Sequence, residues 1–456
     1  MRKIILIIGT VVTFFFSGCN SCSKEIKKEE MTEFNKEVTK SNSAEIFDTV
    51  IVGAGMAGLT AAHKLRDKKI LVLEKNSYIG GRIVKRNVNG IKYNSGAYYG
   101  YLPIMCPEGF SCDKLVKNND PKGFYYNDKM YLGYSLLDAI KWIVNKDEIL
   151  TIDKFIKGAI DLETLRKKIS GKSMSVVETY FNIIYLDKID KFLPERQRDP
   201  FFSDFPTMYF KDDGIIEFYE ENITNIKTNA TVTSLISKNG EVEIEYIEHG
   251  EKKKVKSKSA IVATPAYVTN KILDLSKSEV GDFFSSIKYA KAITITFILE
   301  KSDSKKNIPF TYIATPEKSF QTIYRQPIDE KHIKYTVFYA DYSIKKINNE
   351  NIVSNTVNEL REMNIADFSE DRILKHEVNR WDGITVIIDN VYEKYWNENI
   401  YNPIDGIFIA GDYTMWRTVP SKDKWSFFPV KLPYGLIQAY RSGDYVSEKV
   451  RRYLEE

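Results

Sequence analysis

The sequence is poor in the residues that hold metals. Its 456 residues include four cysteines and four histidines. One Cys-x-x-Cys spacing, Cys19 to Cys22, follows the apolar amino-terminal stretch, but no second such pair and no His-x-x-x-His spacing joins it, so the motifs give no set of ligands for a zinc-type centre. His63, His249, His332 and His376 stand in charged or helical contexts. They read as surface or structural residues, so the commonest general base is missing from the candidates. No charge of one sign dominates. Lys and Arg total 66 against 62 acids, a net charge of +4, too small over this length to build a nucleic-acid surface. There is no internal repeat. The apolar stretch Ile4 to Phe16 is too short to span a bilayer comfortably. What remains is a globular composition, 43% apolar and 28% charged, on a chain long enough for two or three domains or one interleaved pair. The 29 tyrosines and 25 phenylalanines fit either an aromatic core or an aromatic-lined pocket.

Arg2 and Lys3 precede the apolar stretch, and Ser17-Gly18-Cys19 follows it. A positive start, a short apolar core and a small pair before cysteine make an export signal. Ser17-Gly18-Cys19 resembles the lipobox of bacterial lipoproteins, in which the cysteine is acylated and becomes the first residue. The resemblance implies a signal peptide over residues 1–19, lipidation at Cys19, and a protein anchored through acyl chains to the extracytoplasmic face of the cell membrane, facing the periplasm or the cell surface. Residues 20–45, rich in Lys, Glu, Ser, Thr and Asn, cannot bury enough surface to order themselves and would form a flexible tether. Cys106 and Cys112 flank a short turn. Export would permit a disulfide there, and two free thiols suit the spacing equally.

Asp48 to Val52 is a β-branched run ending at Gly53, Leu59 to Leu65 has helical spacing, and Ile70 to Leu73 is a second apolar run ending at Glu74. Strand, helix and strand in so short a span make a βαβ unit. Its first turn is Gly53-Ala54-Gly55-Met56-Ala57-Gly58. In such a turn the first glycine allows the sharp exit from the strand and the second leaves room for a pyrophosphate. The third lets helix and strand pack closely, and the helix amino terminus offers N–H groups to the phosphates. Glu74 follows at the distance where an acid accepts ribose hydroxyls. Farther on, residues 113–215 look mostly helical, with amphipathic stretches near 134–145 and 174–190. Asn229 to Val262 reads as a hairpin and strand around a Lys-Asn-Gly turn. Ala292 to Leu299 and Tyr335 to Tyr339 alternate as strands of a second sheet, Asn351 to Met363 has helical spacing, Gly406 to Ala410 is a late buried strand, and Leu436 to Leu454 is a terminal helix after Pro433.

Glu74-Lys75, a short spacer and Ile79-Gly80-Gly81-Arg82 resemble the flavin-containing amine oxidase superfamily, which includes monoamine and polyamine oxidases, protoporphyrinogen oxidase and phytoene desaturases. Asn94-Ser95-Gly96-Ala97 is similar to the family's Asp-x-Gly-Ala turn, with Asn for the acid. Thr231-Val232 resembles its adenine segment and Ala260 to Pro265 its return strand through Ala263. Phe408 to Asp412 resembles the turn, here Gly411-Asp412, that binds a ribityl hydroxyl. Gly435-Leu436-Ile437 resembles the start of the final helix facing the flavin. The resemblance implies non-covalent FAD, held by residues 53–58, Glu74, Lys75, Gly80, Gly81, Arg82, Val232, Ala263, Gly411, Asp412, Leu436 and Ile437. It also implies hydride transfer from a C–N or C–C bond of a small-molecule substrate, an amine among the candidates, to flavin N5. Lys291 resembles the lysine that holds a water near N5, and reads equally as a surface residue. Trp381 resembles a pocket tryptophan, and core packing is the equal alternative. The ring that many amine oxidases place beside the flavin has no counterpart at Gly435, although Tyr434 adjoins it. Two other readings stand beside this one. One is a desaturase or protoporphyrinogen-oxidase-like enzyme on an apolar substrate, and the other is a non-catalytic FAD-binding surface lipoprotein. No second dinucleotide motif marks an NAD(P)H site. The expected fold is α/β, a Rossmann-like FAD-binding domain (46–112, 216–290 and 396–456) with an inserted α+β substrate domain (113–215 and 291–395).

Overall fold

The computed structural model describes residues 46–96, 99–100, 106–111, 115–198, 207–210, 214–275, 278, 280–302, 307–345, 347, 349–414 and 435–456. The expected signal peptide, Cys19 with its acylation, the tether 20–45, Cys112, Pro433 and Tyr434 lie outside these residues. Cys106 is disulfide-bonded, and its partner also lies outside them. Among the described residues no helix is long and apolar enough to cross a membrane.

Val50, Ile51 and Val52 are all buried. An unbroken apolar run of this kind belongs to a strand covered on both faces. The strand Ile46–Val52 pairs in parallel with Ile70–Leu73, which pairs in parallel with Ile226–Lys227. On its other side lies Glu251–Val262, to which Ile407–Ile409 adds a further parallel strand at Ala260–Val262. Ala230–Lys238, Glu241–Glu248 and Glu251–Val262 continue the sheet as an antiparallel meander. The expected Asn239-Gly240 turn is there, with both residues at positive φ. His249-Gly250 makes the next turn in the same left-handed conformation, a pair less easily recognised in sequence than Asn-Gly. The helix Met56–Lys64 packs against the C-terminal helix Gly435–Glu455, and a Cβ on Gly443 would lie 2.2 Å from the Ala57 carbonyl oxygen. This is the Rossmann-like half of an α/β fold.

The second sheet runs in the order Ile373–Ile387, Lys288–Glu300, His332–Ala340, Thr322–Pro327, Tyr312–Ala314, Lys122–Tyr126, Lys129–Gly133. One face carries Ile293, Ile295, Phe297, Leu299, Ile333, Tyr335, Val337 and Tyr339, packed on Leu360 and other residues of the helix Ile352–Met363. The other face is also buried but different in kind. It presents Thr294, Thr296, Thr322, Thr336 and Lys334.

The structure corrects the expectation of a mostly helical segment over 113–215. Helices do fill 136–185, including Lys146–Ile156, Leu162–Lys168 and Gly171–Tyr185. Before them come the strand Leu115–Asn118 and the hairpin Lys122–Tyr126/Lys129–Gly133. Asn127 and Asp128 turn that hairpin with φ of 48° and 53°, the left-handed pair that a two-residue hairpin turn needs. The amphipathic stretch at 134–145 yields only a short helix, Leu136–Ile140. The 15-residue strand Ile373–Ile387 escaped the sequence reading because polar residues interrupt its alternation.

Candidate functional site

The cleft is built where two glycine turns meet. Gly53 leaves the first strand at φ +99°, and a Cβ there would sit 2.7 Å from the Ala263 carbonyl oxygen. Ala263 in turn donates its N–H to Val52 at 2.8 Å, so the return strand braces the turn. Gly58 is fixed still more tightly, since a Cβ would fall 1.9 Å from the Gly53 carbonyl oxygen. Gly80 and Gly81, at φ +104° and +60°, bring the second turn against the first. The Gly80 N–H donates to the Ala54 carbonyl at 2.7 Å, and Gly55 and Gly80 form an isolated parallel bridge.

Gly55 differs from these glycines. It has φ −78° and ψ −179°, which any residue adopts, and a Cβ there would meet no protein atom within 4 Å. Nothing in the polypeptide requires glycine at this position, so the open side of the turn is shaped for something other than protein. Gly55 is also the N-cap of the helix Met56–Lys64, and no side chain caps that helix. Its first N–H groups, at Met56, Ala57 and Gly58, have no intrahelical partner. An uncapped helix end with no acidic residue in its first turn favours an anion.

Glu74 is 4% exposed. One carboxylate oxygen accepts from the Ala54 N–H at 2.8 Å and the other from the Asn76 N–H at 2.9 Å. A carboxylate has about four lone-pair positions, so capacity for two hydroxyl donors remains. Val232 is buried in the strand that begins at Ala230, whose N–H donates to the Glu74 carbonyl at 2.8 Å. Lys75 is exposed.

Arg82 reaches across the cleft. Its guanidinium donates to Asp412 at 2.7 Å and to the Ile384 carbonyl at 2.5 Å. Burial works against its charge, but the adjacent Asp412 carboxylate outweighs burial and raises its pKa. Asp412 lies in the turn after Ile407–Ile409. The neighbouring Gly411 N–H donates to Ser442 Oγ at 2.7 Å, which fastens the turn to the C-terminal helix. That helix begins at the ion pair itself: a Cβ on Gly435 would lie 3.2 Å from Asp412 Oδ2 and 3.9 Å from an Arg82 nitrogen. Leu436 is half-buried and Ile437 fully buried behind it. Three distant segments, around Gly80-Gly81, Gly411-Asp412 and Gly435, therefore converge.

Tyr289 was not legible in the sequence. Its hydroxyl accepts from the Ala266 N–H at 3.0 Å, and a Cβ on Gly383 would come within 3.2 Å of its ring. Burial, and then the nearby Asp412 charge, push its pKa well above the ordinary value. Lys291 lies at a bulge in the same strand, between Ala290 and Ala292, facing residues 382–384 of the next strand. Its side chain is 57% exposed, with Asp382 at 3.5 Å. Trp381 is half-buried, donates its Nε1–H to Thr294 Oγ1 at 3.0 Å, and packs among Leu186, Ala292, Ala340, Phe338, Tyr342 and Ile384. It thus lies on the polar face of the second sheet rather than in the opposite apolar core. His63 is buried against Phe218 and Tyr219 and belongs to the packing. Among the described residues no group of His, Cys, Asp and Glu could hold a metal ion.

Comparison with known proteins agrees with this geometry. Residues 51–101 match the family model of an NAD(P)-binding Rossmann-like domain, and residues 213–420 match that of flavin containing amine oxidoreductases. These matches support a place in the flavin-containing amine oxidase superfamily. The match to flavin containing amine oxidoreductases implies FAD as the cofactor. The chain is similar to polyamine oxidase 1 of Zea mays, 24% identical over 49% of this chain and 46% of that one. It is similar to a cinnamate reductase of Clostridium sporogenes, 26% identical over 52% of this chain and 35% of that one. It also matches an L-amino-acid oxidase of Echis ocellatus, 32% identical over 23% of this chain and 22% of that one. The chain therefore spans less than half the length of these relatives. Among solved structures it superposes on putrescine oxidase bound to putrescine, with TM-score 0.72, 12% identity, and 90% of this chain and 99% of that one covered. It superposes equally well on cyclohexylamine oxidase of Brevibacterium oxydans, with TM-score 0.71, 11% identity, and 90% and 100% covered. At such identity these superpositions establish the fold.

Proposed function

We propose that the chain is a FAD-dependent oxidoreductase that exchanges a hydride between a C–N or C–C bond of a small-molecule substrate and flavin N5. The observation that carries this reading is Gly55: beside an uncapped helix end, the protein leaves open space at a glycine that neither its backbone angles nor its neighbours require. The N–H groups of residues 56–58 and the Gly80-Gly81 turn would hold the pyrophosphate, and Glu74 the ribose of the ADP half. Asp412 would hold a ribityl hydroxyl, and the start of the C-terminal helix would face the flavin ring. Bound there, the flavin supplies the two-electron chemistry. The protein's own residues position the reacting carbon and exclude water. The polar face bearing Thr294 and Trp381 is the substrate side of this arrangement. Lys291, on a bulge facing the strand whose Ile384 carbonyl binds Arg82, is the candidate for holding a water near N5.

The relatives include a polyamine oxidase and a cinnamate reductase, and a flavin can exchange a hydride in either direction. Binding is proposed to be non-covalent. The lipobox-like Ser17-Gly18-Cys19 supports anchoring to the extracytoplasmic face of the membrane; labelling with an alkynyl fatty acid tests it, and unlabelled protein in the soluble fraction contradicts it. Anaerobic addition of amines and of α,β-unsaturated acids, with the flavin reduced chemically for the latter, tests the reaction. Bleaching or recovery of the flavin absorbance with one class identifies the bond. A flavin inert to both classes contradicts the proposal.

A further inference from the structure

The turn that carries Asp412 is gripped by a set of side chains that the cofactor reading does not use. Within the turn 411–414, the Thr414 N–H and hydroxyl both donate to the Gly411 carbonyl, at 3.1 and 2.9 Å. The buried Tyr413 hydroxyl donates to the Thr264 carbonyl at 3.1 Å. The Tyr413 and Thr414 carbonyls then meet three donors from one short segment. The Tyr392 hydroxyl donates to the Tyr413 carbonyl. Trp396 Nε1–H and the Tyr401 hydroxyl both donate to the Thr414 carbonyl, at 3.0 and 2.9 Å, so both lone pairs of that oxygen are used.

The three donors are themselves held in place. Tyr392 lies in the helix Asn390–Tyr395, whose first turn is capped by the Asp389 side chain accepting from the Val391 and Tyr392 N–H groups. The Trp396 N–H donates to the Tyr392 carbonyl at 3.1 Å. The Tyr392 ring packs edge-on against Phe283 and the Tyr401 ring against Tyr445, with centroids 5.2 and 4.9 Å apart. Burial raises the pKa of both phenols, so they stay protonated and keep donating at neutral pH.

The same segment joins the two halves of the fold. It follows the strand Ile373–Ile387, whose Ile384 carbonyl binds Arg82, and it precedes Ile407–Ile409, which leads to Asp412. Closing a turn already fastened through Ser442 does not call for three more donors. What gains from them is the Asp412 carboxylate, one residue before the gripped carbonyls. A group that must meet a ligand hydroxyl acts only if it is held within about 0.5 Å of its place.

We propose that Tyr392, Trp396 and Tyr401 are positioning residues: through the backbone of residues 413–414 they set where the Asp412 carboxylate stands, and so how firmly and in what orientation FAD is held. This deepens the proposed function and rests on its reading of Asp412 as the acid that holds a ribityl hydroxyl.

The test is a cycle of four full-length proteins: the parent, Tyr401→Phe/Trp396→Phe, Asp412→Ala, and all three substitutions together. FAD affinity is read from the quenching of flavin fluorescence, and the setting of the bound flavin from its visible circular dichroism. Tyr401→Phe/Trp396→Phe is expected to weaken FAD binding about tenfold and to alter the dichroism of the bound flavin. In the Asp412→Ala background the same pair is expected to change affinity by less than about twofold, because the carboxylate it positions is gone. Trp396→Phe alone leaves Tyr401 on the Thr414 carbonyl. It is expected to show the same dependence on Asp412 at about threefold, and it decides the matter if the double variant does not fold. A loss of equal size in both backgrounds makes the three residues merely structural and overturns the proposal, as does unchanged affinity in the brace variants. FAD binding undiminished in Asp412→Ala instead refutes the reading of Asp412 itself, and the proposal with it.

Discussion

Gly55→Ala separates a glycine kept for the fold from one kept for a ligand. Its backbone angles suit any residue, and the added methyl would touch no protein atom. Restricting the unfolded chain stabilises by about 0.4–1 kcal/mol, and losing glycine at a helix N-cap costs a similar amount. The apoprotein should therefore unfold within roughly 3 °C of the unsubstituted chain. FAD binding should change far more. The methyl would stand between the helix N–H groups and the pyrophosphate. Hydrogen bonds to charged groups contribute about 1.5–3 kcal/mol each, so losing two weakens binding by about 3–6 kcal/mol, a hundredfold or more. Gly58→Ala is the contrasting case, since its methyl would lie 1.9 Å from a backbone oxygen. It should destabilise the apoprotein by about 3 kcal/mol or more. Thermal unfolding of the apoproteins and quenching of flavin fluorescence on titration measure both quantities. If Gly55→Ala binds FAD as tightly as the parent, or falls in stability as far as Gly58→Ala, the reasoning about this cradle is wrong.

Arg82→Ala leaves Asp412, whose side chain is 8% exposed, without its cation. A loss of about 3 kcal/mol is expected in urea unfolding, with a much smaller additional loss in Arg82→Ala/Asp412→Asn. His63 is 2% exposed, and burial, then Arg66 and Lys64, lower its pKa to about 4 from an ordinary value of 6.5. Between those values the unfolded chain binds more protons, so its contribution is intact above about pH 7 and falls as pH drops toward 4, by up to about 3 kcal/mol. His63→Leu should flatten that part of the pH dependence of the urea midpoint, and an unchanged slope refutes the assignment. Lys291→Met should keep FAD and slow flavin reduction by substrate at least about tenfold; an unaltered rate makes Lys291 a surface residue. Trp381→Phe removes the bond to Thr294 and should cost about 1 kcal/mol of stability while raising KM more than it lowers kcat.

The cofactor half of the fold was readable because its constraints are local. Gly53, Gly55, Gly58 and Glu74 sit at fixed offsets in one βαβ unit, and each offset has a steric or hydrogen-bonding cause. Arg82, Asp412 and Gly435 could be named from their motifs. That Arg82 would clamp Asp412, and that Ser442 would pin the turn to the last helix, are consequences of three segments meeting in space. The substrate half was less readable for physical reasons. The strand Ile373–Ile387 lacks apolar alternation because it ends its sheet, with Lys375, His376, Arg380 and Asp382 exposed. The hairpin at Asn127-Asp128 uses a less distinctive turn pair than Asn-Gly. Lys334 looks like any lysine in an alternating strand, and its burial comes from strands that approach it from distant parts of the chain. Lys291 and Trp381 were singled out by resemblance alone, whereas Tyr289 carried no local signal.

The account rests on FAD lying between the two glycine turns. Purified full-length protein should show the flavin absorbance bands in the visible with one FAD per chain, and apoprotein should regain them when FAD is added. Colourless protein that takes up no flavin would contradict the account.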